Sequence, residues 1–161
     1  MWTKLIDVLG KICVVYDNLA NIGERKRDAL VTIDMEGLAK VLDEEQLAAA
    51  KIQRLEKERG NILKELAKTT PAINDATKAE DFYKNAPSLA MEKRLISLHK
   101  TLSKNVNRAV KIRDNNQILA QGALDAVKYH LNKLSNAVVE PTYGSKGGEV
   151  VTREKKFDFK A

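Results

Sequence analysis

The sequence predicts an all-α protein: an elongated antiparallel bundle of three long helices plus one short helix, ending in a flexible C-terminal tail. Three observations carry that prediction. Charged residues make up 31% of the 161-residue chain and aromatics only 5%, the profile of long helices and coiled coils. Apolar residues recur at alternating steps of three and four over three separate stretches, which lines up one stripe on each helix. The connections between the stretches are short, so successive long helices should pack antiparallel. The length fits one domain, expected over 1–139, with the tail over 140–161.

The first stripe runs through Leu5, Leu9, Ile12, Tyr16 and Leu19 and is widened by Ile6, Cys13 and Ala20, predicting a helix over about 3–31. A second helix is predicted over about 35–68. Asp34 is suited to cap its free first-turn amides, and Glu36 favours its positive end. Its stripe centres on positions 38, 45, 52, 59 and 66, a heptad repeat flanked by Val41, Leu42, Ala48, Leu55 and Ile62. Glu45 and Arg59 lie on that line, which implies a slender bundle with a partly wet middle.

The stretch "TTPAINDATKAEDFYKNAPS" interrupts the pattern. Thr70 followed by Pro71 fits an N-cap and first helical position, so a short helix over about 71–84 is predicted, ending before Pro87. A third long pattern, over about 88–138, runs through Leu95, Leu98, Leu102, Val106, Ala109, Ile112, Asn116, Leu119, Ala123, Val127, Leu131 and Leu134. From Glu140 onward Pro, Gly and alternating charge replace the stripe; a hairpin around "GSKGG" would be marginal alone.

Several function classes lose support. Charges interrupt every apolar run, so no membrane insertion is expected, and the N-terminus lacks the unbroken apolar core of a signal peptide. Cys13 is the single cysteine, which suits a reducing cytoplasmic setting and a small core residue. His99 and His130 lack metal-ligand spacing and carboxylate company, so no metal or cofactor is expected. "GSKGGE" lacks the ending of a phosphate-binding loop. Acidic residues alternate with Lys and Arg as on solvated helix faces, and no catalytic residue stands out; an enzyme is not expected. The net charge of +6 is concentrated in 91–136, where nine basic residues meet three acidic ones. Such a face steers an acidic partner, binds phosphates or is simply solvated. No set of stacking aromatics accompanies it, which argues against nucleic acid.

The stretch "DNNQILAQGALDAV" poses a separate question, because Asn115, Asn116, Gln117, Gln121 and Gly122 are middling or poor helix formers inside a long helical pattern. Taken with "ALVTIDMEGLAKVLDEEQ", "IQRLEKERGNILKELA" and "EPTYGSKG", it resembles the FlgN family of flagellar type III export chaperones. The matching positions are Asp34 and Leu38; Leu55, Glu56 and Arg59; Asn116, Ile118, Leu119 and Gln121; and Tyr143 with Gly144. The resemblance implies a cytoplasmic chaperone that binds the C-terminal helices of hook–filament junction (hook-associated) proteins, prevents their early assembly and delivers them to the export gate. It implies client binding by the late helix and contact with the export-gate platform protein by a tail tyrosine, here Tyr143.

The residues of the late helix agree. Leu119, Ala123, Val127 and Leu131 form an apolar seam for a client helix, Ala120 and Ala123 allow close approach, and Asn116 would set register. Asn116 fits an internal bond within the chaperone's own bundle equally well. A coiled-coil adaptor or scaffold that forms a tight oligomer and a basic nucleic-acid-binding bundle are the alternatives; a weak homo-oligomer is compatible with the chaperone reading.

Overall fold

The computed structural model describes residues 1–70 and 78–137. Four helices follow one another: α1 (Trp2–Thr32), α2 (Met35–Thr69), α3 (Ala79–Tyr83) and α4 (Leu89–Ala137). The described residues contain no strand, so the protein is all-α with three long helices and one short one. The chain divides into two compact units, Met1–Ala120 and Gln121–Ala161, with the boundary inside α4. Residues 71–77 of the expected short helix, the expected tail 140–161 and the hairpin considered there lie outside the described residues.

In the first unit α1 and α2 form an antiparallel pair joined by a tight turn. Helix α1 ends at Ile33, whose left-handed backbone (φ 56°, ψ 36°) reverses the chain. The Asp34 amide then donates to the Ala29 carbonyl at 2.9 Å, closing the helix end as a Schellman-type turn does. Asp34 caps α2 as expected: its carboxylate accepts from the Gly37 amide at 2.9 Å.

The α1–α2 seam is a heptad seam, but its centre differs from the line the sequence suggests. On α2 the buried residues Val41, Ala48, Leu55 and Ile62 are seven apart, while Leu38, Glu45, Ile52 and Arg59 of the predicted line flank them half-buried; only Leu66, its last position, is buried. Leu5, Val8, Ile12, Val15 and Ile22 of α1 are buried in the same core cluster. Spacing alone cannot separate the centre of a stripe from its flank when both repeat every seven residues. Glu45 and Arg59 are on the flank, where each reaches an opposite charge, although Arg59 Nε is buried without a partner. Lys26 donates to Glu45 at 2.6 Å across the seam, and Arg59 pairs with Glu56 at 2.7 Å on its own helix. Arg25 and Glu44 add a paired contact at the rim.

Helix α4 packs on α1 in parallel, since partners rise together along both chains. The Cys13 thiol donates to the Leu98 carbonyl at 3.4 Å, Asn105 donates to the Cys13 carbonyl at 3.0 Å, and Asn116 donates to the Gly23 carbonyl at 2.7 Å. Between them Arg108 bonds Asp17 at 3.2 Å, Asn21 at 3.0 Å and Glu24 at 2.7 Å. Helix α1 thus serves two neighbours, which explains why its buried arc takes in Val8, Val15 and Ile22 beyond the predicted stripe.

The link between α2 and α4 is tied down by aromatics. Phe82 and Tyr83 of α3 are buried; Phe82 lies 5.3 Å from Trp2 between ring centres, and Tyr83 lies 5.8 Å from His99. The Tyr83 hydroxyl meets His99 Nδ1 at 3.3 Å. Sequence periodicity gives no warning of this clasp, because five helical residues are too few to show a stripe.

Candidate functional site

The apolar stripe of α4 changes character along its length. Leu95, Leu98, Leu102 and Ala109 are buried in the first unit, with Val106 packed against the core. Asn116 closes this buried stretch at 4% exposure. At its level α4 approaches α1 closely: a Cβ on Gly23 would stand 2.7 Å from Ile112 Cγ2. Small size at Gly23 lets the Asn116 amide reach a helix-interior carbonyl, whose second lone pair is free to accept. Asn116 Oδ1 is buried and has no partner. Of the two roles the sequence leaves open for Asn116, its surroundings are those of a register residue inside the bundle.

Beyond Asn116 the same stripe is exposed. Leu119 is 38% exposed, Val127 55%, Leu131 54% and Leu134 66%, and Ala120 and Ala123 are exposed as well. Leu119 and Ala120 end the first unit; within the second, Ala123, Val127, Leu131 and Leu134 step by fours and threes along one face, with Leu124 at its edge. Leu124 and Leu134 were not among the candidates, although Leu134 continues the stripe and Leu124 adjoins Ala123 and Val127 at helical spacing. Polar residues hold other sides of this helix, where Gln121 donates to Asp125 at 2.9 Å. Single exposed leucines are ordinary, but a regular apolar face on a charged helix marks an interaction surface.

Other candidate chemistry is quiet. Burial pushes the Cys13 thiol above its ordinary pKa, with a smaller opposing effect of its backbone hydrogen bond, which makes it a poor nucleophile. Burial likewise raises the Tyr83 phenol. His99 sits against Tyr83, and His130 is exposed beside Tyr129 at 5.6 Å between ring centres. Among the described residues no group of three or more His, Cys, Asp or Glu side chains could hold a metal ion, and no helix is long and apolar enough to cross a membrane.

A family model described as FlgN protein matches residues 1–150. The chain belongs to the FlgN family. Its members are chaperones of bacterial flagellum assembly, with hook-associated proteins as their partners in general. No curated protein and no solved structure matches the chain. Tyr143 falls within the matched span but outside the described residues.

Proposed function

We propose that this protein is a cytoplasmic flagellar export chaperone that holds the C-terminal helical segments of hook–filament junction proteins on the exposed stripe of α4. The observation that supports the reading is the exposure of Leu119, Val127, Leu131 and Leu134 on the continuation of a stripe whose earlier half is buried. An amphipathic client segment, disordered when free, folds against Leu119, Ala120, Ala123, Val127 and Leu131 and buries its own apolar face. Asn116 marks the start of the site by fixing the register of α4 against α1. Ordering the client opposes part of the gain from burial, so affinity is moderate and release at the export gate is feasible. Bound in this way, the client cannot assemble early. Tyr143 contacts the export-gate platform protein during delivery.

The test is titration of the full chain with a synthetic C-terminal helix of a hook-associated protein, followed by calorimetry and circular dichroism. Saturable one-to-one binding with a gain in helicity and a negative heat-capacity change is expected. Leu119→Asp should abolish binding while the protein keeps its helicity; Leu131→Asp, farther from the core, is the companion variant. Binding that survives both changes refutes the α4 face. A chain that ignores the peptide but forms a tight oligomer by sedimentation would instead be a coiled-coil scaffold.

A further inference from the structure

A second surface lies on α4 within the first unit, on the side away from its packing. Residues 93–113 contain no acidic residue, although both flanks, Glu92 and Asp114, are acidic. Four lysines in this stretch, Lys93, Lys100, Lys104 and Lys111, are spaced seven, four and seven apart. At 100° per residue they fall within about 20° of one line along the helix. Leu95, Leu98, Leu102 and Ala109, which are buried, lie on the opposite side of the cylinder. The four ammonium groups form a straight ridge about 27 Å long at 1.5 Å per residue.

All four lysines are exposed, and none takes part in an ion pair. Two nearby arginines differ. Arg108 is spent on Asp17 and Glu24 of α1, and Arg113 on Asp114. Between the lysines the line holds Ser97 and Asn107, both exposed. Aligned like charges repel one another, and an acidic residue three or four positions away, as Glu36 is to Lys40 and Glu65 to Lys68, would relieve that repulsion. Within the ridge no such carboxylate occurs from Lys93 to Arg113.

We propose that this lysine ridge is a docking surface for an acidic helix of a partner protein, one carrying carboxylates at the same seven-four-seven spacing. The spacing is that of the flanking charge rows by which adjacent helices choose partner and register. A helix laid alongside α4 meets all four lysines with one face. Nucleic acid fits less well, because residues 93–113 contain no Phe, Tyr or Trp to stack a base. An anionic membrane fits less well because Ser97 and Asn107 supply no apolar anchor beside the charges. The surface is separate from the apolar stripe, so it serves a partner distinct from the client and is independent of the client-binding reading.

Two isomeric helical peptides test the proposal. One carries four Glu residues at seven-four-seven spacing; the other has the same composition with the Glu residues spread around the helix. Each is titrated against the full chain at low salt by fluorescence anisotropy. The patterned peptide should bind at least about fivefold more tightly than its isomer and weaken as salt rises. Lys100→Glu combined with Lys104→Glu should weaken it by about tenfold or more, with circular dichroism unchanged, whereas Lys57→Glu on α2 should leave it unaltered. The proposal is overturned if the two peptides bind equally, if neither binds, or if the double variant binds as the parent does. Tighter binding of a single-stranded oligonucleotide or of phosphatidylserine vesicles than of the patterned peptide would also overturn it.

Discussion

The two halves of α4 carry one apolar stripe and put it to different uses. From Leu95 to Asn116 the stripe is consumed by the bundle; from Leu119 to Leu134 it is exposed. Periodicity, composition and helix propensity do not distinguish them: Leu98 and Leu102 look like Leu131 and Leu134 to any pattern-based reading. The lesson is that an amphipathic stripe reports the demand for a neighbour and not its supply. In the first half α1 supplies it. In the second, the demand is met by a partner outside the chain if the proposed function holds.

The widest separation between the halves is in stability. Leu95 is 0% exposed, and Leu95→Ala should cost about 2–5 kcal/mol through lost burial and the cavity left behind. Leu131→Ala, removing the same atoms from a side chain 54% exposed, should change stability by no more than roughly 0.5 kcal/mol. Urea unfolding followed by circular dichroism measures both. Equal losses would mean that the second half of the stripe is packed within the free protein, and the contrast between the halves would be gone.

The boundary between them can be probed at Gly23. A methyl there would stand 2.7 Å from Ile112 Cγ2, and the β-branched isoleucine has little rotamer freedom in a helix with which to yield. The ordinary gain of about 0.5–1 kcal/mol for alanine over glycine in a helix is opposed by overpacking of about 1–3 kcal/mol. Gly23→Ala should therefore destabilise by about 1 kcal/mol. At Gly10, on the same helix, an added Cβ meets nothing within 4 Å, and Gly10→Ala should stabilise by about 0.5–1 kcal/mol. If both substitutions stabilise, the close approach does not constrain the bundle, and Asn116 does not mark a fixed edge between the halves.

Much of this was legible in the sequence, for identifiable reasons. Long stripes with few glycines and prolines give the three long helices, and Asp34 has the chemistry of a cap in the place where a cap is needed. What stayed hidden depends on three dimensions. The heptad line through Glu45 and Arg59 proved to be the flank of the α2 seam, because a seven-residue repeat fixes direction along the helix but not which line faces the neighbour. Phe82 and Tyr83 entered the core from a segment with no periodicity at all. Asn116 was recognised as unusual, yet whether its amide faces α1 or a client turns on Gly23, a residue with which it shares no sequence neighbourhood. The exposure of Leu119, Val127 and Leu131 has no sequence signature, since it reflects where the supply of neighbours ends.

The smallest expected effect separates two kinds of exposed apolar residue. Ile33 is 78% exposed, as conspicuous as any residue of the α4 face, but it carries a backbone cost that they do not. It is the single non-glycine residue with positive φ among the described residues, and its β-branched side chain is poorly suited to the left-handed region. A glycine at a helix terminus of this type removes the steric penalty but loses more freedom on folding, so Ile33→Gly should stabilise the protein by about 0.5–1 kcal/mol net. Client peptide affinity should be unchanged. Unfolding midpoints and the peptide titration together decide the matter. A gain in stability with binding intact leaves the α4 face as the apolar surface that serves the partner; a loss of binding on Ile33→Gly would move the client contact to the α1–α2 turn and dissolve the comparison on which the two halves of α4 rest.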